Sequence, residues 1–201
     1  MKDAFQTICP LILASGSPRR HDFLTNLGLD FTVRVADIAE NCLPGEKPKA
    51  FVERMALEKA RAVAALVAGA WVLAADTVVA VDEQILGKPE DEAAARRMLM
   101  LLAGRWHQVW TGFCLCCKDS GEQVIRSVCT EVCFIPLSPN LCAAYVATGE
   151  PLDKAGSYGI QGRGGFLVKE IRGSYTNVVG LPLAEVLEEL LRLGIIAPNA
   201  G

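Results

Sequence analysis

Three stretches of this 201-residue chain carry charged or polar groups where the surrounding pattern asks for apolar ones. The first is Ser15-Gly16-Ser17-Pro18-Arg19-Arg20, directly after the apolar run Leu11 to Ala14. A strand ending there and a helix starting at Pro18, with Ser17 in the capping position, put free N–H groups and a positive dipole end at the turn. Such an end suits a phosphate. Arg19 and Arg20 fall in the first helical turn, where cations are disfavoured unless an anion binds there. Arg20 also shares the face of Phe23, Leu24 and Leu27, which turns it inward. The competing reading is that both arginines snorkel to water. No GxxxxGK[ST] is present, so the turn is not a Walker A loop.

The second stretch is a helix expected over Lys49 to Val67. Phe51, Val52, Met55, Val63, Leu66 and Val67 form one apolar stripe, with Lys59 near its middle. A lysine there either reaches a rim or pairs with an anion, because an unpaired buried charge is costly. The third is Asp76-Thr77, inside the otherwise apolar run Trp71 to Val81. A carboxylate in a buried strand calls for a metal ion, a cation or a reacting water, or else caps a loop. Two weaker signals follow. Gly87-Lys88-Pro89 puts a cation in a rigid loop. The Gly-rich segment Gly149 to Gly162 includes Gln161, whose amide offers one donor and one acceptor to a base edge, or else lies on a mobile surface loop.

The elements that must position these groups alternate. A helix from Pro18 to about Leu27 stops at Gly28, and Phe31 to Val35 alternates like a strand. Trp71 to Val81 reads as a strand buried on both faces. Asp91 to Leu102 is a helix. Gln108 to Cys117 and Gln123 to Phe134 are β-rich and joined by a turn at Asp119-Ser120-Gly121. Ser138 caps a helix to about Thr148, Phe166 to Ile171 is a strand, and Pro182 to Leu193 a last helix. The expectation is a single α/β domain over residues 1–201, with the hairpin forming a second lobe and a central cleft between the two lobes.

Composition narrows the function classes. A net charge of −3 with 51% hydrophobic and 21% charged residues describes a folded globule and argues against a nucleic-acid polymer as partner. No apolar run is long enough for a membrane helix, and Met1 to Pro10 lacks a leader pattern, so the chain is expected in the cytoplasm. Six of the eight cysteines lie between Cys114 and Cys142 without zinc-ligand spacing, and read as small hydrophobes in strands.

Leu13-Ala14-Ser15-Gly16-Ser17-Pro18-Arg19-Arg20, Glu58-Lys59-Ala60, Ala75-Asp76-Thr77-Val78-Val79, Gly87-Lys88-Pro89, Gly149 to Gly162 and Val179-Gly180-Leu181-Pro182 occur in the order found in one family. The chain resembles the Maf nucleotide pyrophosphatases, related in fold to the inosine-triphosphate pyrophosphatases, over about Leu11 to Leu193. The resemblance implies a mixed sheet with flanking helices. It implies hydrolysis of a nucleoside triphosphate between its α and β phosphates, with Mg²⁺ (or Mn²⁺ or Co²⁺) as cofactor.

By the same resemblance, Asp76 is the general base or a metal ligand, and Glu40 an acidic position near the metal. Ser15, Ser17, Arg20, Lys59 and Lys88 bind phosphates and stabilise the transition state. Arg19, Thr77 and Gln161 match positions that separate subfamilies. Together with Asp153 and Lys154, in Asp153-Lys154-Ala155-Gly156-Ser157-Tyr158, they are similar to the branch acting on dTTP and UTP and unlike the branch acting on 7-methyl-GTP. Two positions depart from the family pattern: Ala39, where Asp is frequent, and Ile135, where a basic residue is common. The alternatives are a nucleotide-binding regulator of septum formation with little turnover, and a pyrophosphatase for other non-standard nucleotides. A homodimer is the assembly this reading allows.

Overall fold

The computed structural model describes residues 3–199. Met1 and Lys2, the start of the segment read for a leader, lie outside the described residues. In chain order the elements are β1 (Phe5–Thr7), β2 (Leu11–Leu13), α1 (Pro18–Asn26), β3 (Thr32–Val33), α2 (Pro48–Ala64), β4 (Trp71–Val81), β5 (Gln84–Leu86), α3 (Glu92–Leu102), β6 (Trp106–Cys117), β7 (Gln123–Phe134), α4 (Pro139–Val146), β8 (Val168–Arg172), α5 (Tyr175–Val179), α6 (Leu183–Arg192) and β9 (Ile196–Pro198). Seven strands form a mixed sheet of order β3-β2-β4-β6-β7-β8, with β5 paired to β4. The β1–β9 pair is antiparallel and stands apart from that sheet. The chain divides into two compact units: residues 1–76, 111–127 and 180–201, and residues 77–110 and 128–179.

In the first unit, the period-2 alternation of strands builds two cores. Leu11, Leu13, Trp71, Leu73, Ala75, Phe113 and Leu115 pack with Leu24 of α1 and with Val186 and Leu190 of α6. The alternate residues Ile12, Ala14, Val72, Ala74, Cys114 and Cys116 pack with Ala56, Ala60 and Val63 of α2. Strands covered on both faces carry apolar residues on both sides, as β2 does throughout and β4 does except at Asp76 and Thr77. β2 pairs in parallel with β3 and with β4. The chain leaves β2 through α1 to reach β3, then crosses by α2 to β4 on the other side of β2. The carboxyl end of β2 is therefore a topological switch point, the usual ligand position of open α/β sheets.

α1 begins at Pro18 and ends in a Schellman turn: Gly28 N donates to Thr25 O at 2.9 Å and Leu29 N to Leu24 O at 3.2 Å. Gly28 supplies the left-handed φ of 74° that this turn requires.

The second unit has one core, made by Val79, Val81, Leu86, Leu99, Leu102, Val132, Phe134, Tyr145, Val146, Tyr158 and Leu167 with their neighbours. Asp82 and Glu83 both take positive φ, giving β4–β5 the two-residue turn whose twist suits a hairpin. Asp91 caps α3 by accepting from Ala94 N at 2.6 Å, and Ser138 caps α4 by accepting from Leu141 N at 3.2 Å.

Several expected bounds shift. α2 stops at Ala64, so Leu66 leaves the apolar stripe and is 64% exposed. β3 keeps only Thr32–Val33 of the expected Phe31–Val35. The strand expected from Phe166 starts at Val168, because residues 163–167 coil into a 3₁₀ turn that leaves Phe166 exposed. The β6–β7 hairpin does not form a lobe of its own, since its tip, residues 111–127, belongs to the first unit. Ser127 Oγ donates to Glu53 Oε1 at 2.6 Å, Arg61 to Gln123 at 3.1 Å, and Arg126 pairs with Glu188 and Glu189 at 3.2 and 3.1 Å. These bonds tie the tip to α2 and α6.

All eight cysteines are free thiols. Cys114 and Cys116 fill core positions, and burial with the nearby Glu131 pushes Cys129 up to about 11, so its thiol stays protonated at neutral pH. Cys142 lies on α4 rather than in a strand.

His107 is buried in the second unit, hydrogen-bonded through Nε2 to the Tyr158 hydroxyl at 3.0 Å and edge-on to Phe134. Burial lowers its pKa from 6.5 to about 4. The unfolded chain therefore takes up a proton that the fold refuses, so stability is full above pH 6.5 and declines as pH falls toward 4. Across that window the loss should be on the order of 3 kcal/mol. Urea unfolding from pH 4 to 7 checks this: His107→Phe should flatten the profile, and an unchanged slope would contradict it.

Candidate active site

The parity of β4 decides where its carboxylate points. Val72 and Ala74 face α2, so Asp76 faces it as well. On α2, Lys59 lies one position from Ala60 and four from Val63, both buried against the same face of the sheet. The two charges meet: Lys59 Nζ donates to Asp76 Oδ1 at 2.6 Å and reaches Glu40 Oε1 at 2.6 Å. Lys59 is 8% and Asp76 6% exposed, whereas the Glu40 side chain is half exposed. The lysine in the apolar stripe is thus compensated by two carboxylates. Of the options open for it in the sequence, pairing with an anion is the one realised.

At the end of β2, Ala14 N donates to Leu73 O at 2.7 Å, a backbone bond just past the paired residues Leu11 to Leu13. The chain then turns away into α1. Arg20 fills the gap from the helix: its Nη1 donates to Ala75 O at 2.8 Å and to Ser15 Oγ at 3.0 Å, and its Nε to Gly180 O at 2.8 Å. Ser15 Oγ also accepts from Ser17 N at 3.3 Å. Burial draws the Arg20 guanidinium below its ordinary range, and the Asp76 carboxylate works against that shift. Ser17 holds the N-cap position of α1, but its side chain makes no cap bond, and no acidic residue stands in the first turn. Arg19 is half-buried next to Arg20.

Glu40 comes from the irregular segment between β3 and α2. That segment is pinned to α2 by a contact not foreseen from the sequence. Arg54 Nε and Nη2 each donate to a different oxygen of Glu46 at 2.6 Å, and Nη2 donates to Asn41 O at 2.9 Å. The Arg54 bonds hold the Glu46 carboxyl below its ordinary range. A Glu and an Arg eight residues apart across a loop and a helix start leave no periodic signal. The Gly180 carbonyl was equally silent, because a backbone acceptor has no side-chain signature.

The first unit therefore brings Ser15, Ser17, Arg19, Arg20, Glu40, Lys59 and Asp76 into one neighbourhood. Thr77, Lys88, Asp153, Lys154 and Gln161 belong to the second unit. There Gly156 N donates to Gly87 O at 3.1 Å, linking the segment of Lys88 to the Gly-rich segment. Lys154 Nζ pairs with Asp153 at 2.6 Å and donates to Glu150 O at 2.9 Å. Lys88 and Gln161 are exposed.

Residues 10–193 match the family model described as Maf-like protein. The chain belongs to the Maf family. Among Maf relatives, the dTTP/UTP pyrophosphatase of Desulfotalea psychrophila is 54% identical over 188 residues, 94% of this chain and 96% of the relative. The dTTP/UTP pyrophosphatase of Myxococcus xanthus is 50% identical over 196 residues, 98% of this chain and 97% of the relative. The Ham1 protein of Staphylococcus aureus, a solved structure, overlays on 62% of this chain and 71% of its own with a TM-score of 0.46 and 17% identity. No helix among the described residues is long and apolar enough to cross a membrane.

The Lys59–Asp76 pair makes a stability prediction. Lys59→Met should lower the unfolding free energy by about 3 to 5 kcal/mol, because Asp76 is left as an uncompensated buried charge. Adding Asp76→Asn should restore at least about 1 kcal/mol, a coupling a double-mutant cycle in denaturant would read. Strictly additive losses would show that the pair contributes no interaction energy.

Proposed function

We propose that this chain is a nucleoside triphosphate pyrophosphatase that hydrolyses dTTP and UTP to the monophosphate and pyrophosphate. The observation that carries the reaction class is the buried Asp76 paired with Lys59 beside the Ser15–Arg20 turn. An acid next to a phosphate-binding turn repels the substrate unless water chemistry or a cation needs it. The substrate class follows from the relatives, named dTTP/UTP pyrophosphatases at about half identity over nearly the whole chain.

In this mechanism the triphosphate takes the N–H groups at the start of α1, with Ser15, Ser17, Arg19 and Arg20 around it. Lys59 and Lys88 neutralise the charge that moves onto the leaving pyrophosphate. Water attacks the α-phosphorus and the bond from that phosphorus to the bridging oxygen breaks. The water proton passes to Asp76, whose Oδ1 is held by Lys59 and whose Oδ2 is assigned to the water. Thr77 and Gln161, with Asp153 and Lys154, are assigned to substrate selection.

Asp76 and Glu40 also fit a divalent cation. They converge on one ammonium with hard oxygen donors, and among the described residues no three His, Cys, Asp or Glu side chains form a complete cage. That donor set suits Mg²⁺ or Mn²⁺, which take their remaining oxygens from phosphate and water. Such an ion, when bound, supplies charge neutralisation and a more acidic water. Removal of free nucleotides in the cytoplasm, by a homodimer, completes the proposal.

Asp76→Asn keeps the shape and removes the charge. Pyrophosphate release from UTP should fall about a hundredfold or more, the scale of one general base. Turnover near the parent rate in that variant would remove Asp76 from the chemistry. An assay with Mg²⁺ against EDTA separates hydrolysis from binding alone. Gln161→Glu should change the profile across UTP, dTTP, CTP, ITP and 7-methyl-GTP far more than the basal rate, and an unaltered profile would end its role in base reading.

A further inference from the structure

The Gly-rich segment of the second unit has an internal anchor that none of its sequence signals announced. Glu150, in the 3₁₀ turn Glu150–Asp153, directs its carboxylate into the segment that follows. Its Oε1 accepts from the Tyr145 hydroxyl at 2.9 Å and from Gly164 N at 2.9 Å, and its Oε2 accepts from Arg163 N at 2.7 Å. The same Tyr145 hydroxyl accepts from Gly159 N at 3.2 Å. Residues 159 to 164 thus wrap around one carboxylate, with the N–H groups of Gly159, Arg163 and Gly164 turned inward to it or to the hydroxyl it holds. The wrap is close: a Cβ at Gly162 would fall 2.5 Å from Glu150 Oε2. Tyr145 is 3% exposed and part of the core, so the anchor is fixed to the scaffold.

Gln161 sits at the middle of this wrapped segment, and its own side chain is exposed. We infer that Glu150 is a positioning residue for nucleotide selection, holding residues 159–164 so that Gln161 presents its amide in one orientation. The inference rests on the base-reading role proposed for Gln161. A carboxylate receiving two backbone donors and a hydroxyl fixes a loop more firmly than neutral acceptors do. Burial pushes the Glu150 carboxyl up, but Gly164, Arg163 and Tyr145 outweigh it and hold the group below its ordinary range. The anchor therefore stays charged at neutral pH.

Glu150→Gln keeps the size but places an amide group against one of the inward N–H donors. The preference for UTP over CTP, measured as a ratio of kcat/KM, should narrow about tenfold, the scale of one charge-assisted hydrogen bond. The change should fall on KM for UTP, with kcat held within about twofold. Hydrogen exchange at the Arg163 and Gly164 amides should accelerate in the same variant. Tyr145→Phe is the milder arm, removing the hydroxyl shared by Glu150 and Gly159 while keeping the ring; its ratio should narrow about threefold, a partial loss of the same bonds. In a Gln161→Ala background, Glu150→Gln should narrow the ratio no further. A folded Glu150→Gln or Tyr145→Phe variant with the parent UTP to CTP ratio would overturn the inference, as would a full further loss on top of Gln161→Ala. If Gln161→Ala itself leaves the ratio intact, base reading fails and this role goes with it. If Gln161→Ala abolishes the preference while both anchor variants retain it, only the role of Glu150 fails.

Discussion

The ammonium of Lys59 between Asp76 and Glu40 is the interaction around which the first unit is arranged. Neither partner is tolerable alone at these positions. A bare lysine among Ala56, Ala60 and Val63 would be forced toward neutrality, and a bare carboxylate in β4 would strand a charge in a two-sided strand. Together they are stable enough to persist, yet a hydrophobic pair of similar volume would often be at least as stabilising. The presence of an ion pair here is therefore not in itself a source of stability. It also sets the resting condition of the site, in which both acids are already compensated by a cation that belongs to the protein.

The rest of the unit delivers groups to that point by simple geometric rules. Alternation in β4 turns Asp76 toward α2 and Ala75 toward the opposite core. Parallel pairing puts the end of β2 alongside the same strand, three residues short of Asp76. Because β3 and β4 flank β2 on opposite sides, the helices reached from this end leave on opposite faces, and the Ser15–Arg20 turn opens where they diverge. The Glu40 segment, which has no regular structure, is made definite by the two-oxygen clasp of Arg54 on Glu46.

Much of this was legible in the sequence because the decisive residues break a strong local pattern. Lys59 interrupts a helical stripe, and Asp76 interrupts a buried strand. Arg20 falls on the apolar face of its helix. In each case burial was the predictable part and the partner was not. The motifs identify the family, but the bonds of Arg20 to backbone carbonyls at Ala75 and Gly180 join residues 55 and 160 positions away. Nothing in local spacing encodes such pairs. The hairpin was misjudged for the same reason: its strands were evident, while their attachment depends on side chains of α2 and α6 that are distant in sequence. Glu150 was overlooked because a glutamate in a Gly-rich loop looks like solvent-facing charge until its donors are seen.

The contact of Arg20 with the Ala75 carbonyl has a further consequence. At that point a side chain does the work of a missing strand, so the sheet is continued by a guanidinium rather than by backbone. Its planar fork joins β4, the turn and the link before α6 at once, which a lysine with its single point charge could not reproduce. The joint is also one that can be undone without unzipping a ladder, since only a side chain has to rotate. The sheet margin there is held by a peg, and drawing that peg outward would release Ala75 O, Ser15 Oγ and Gly180 O in one movement.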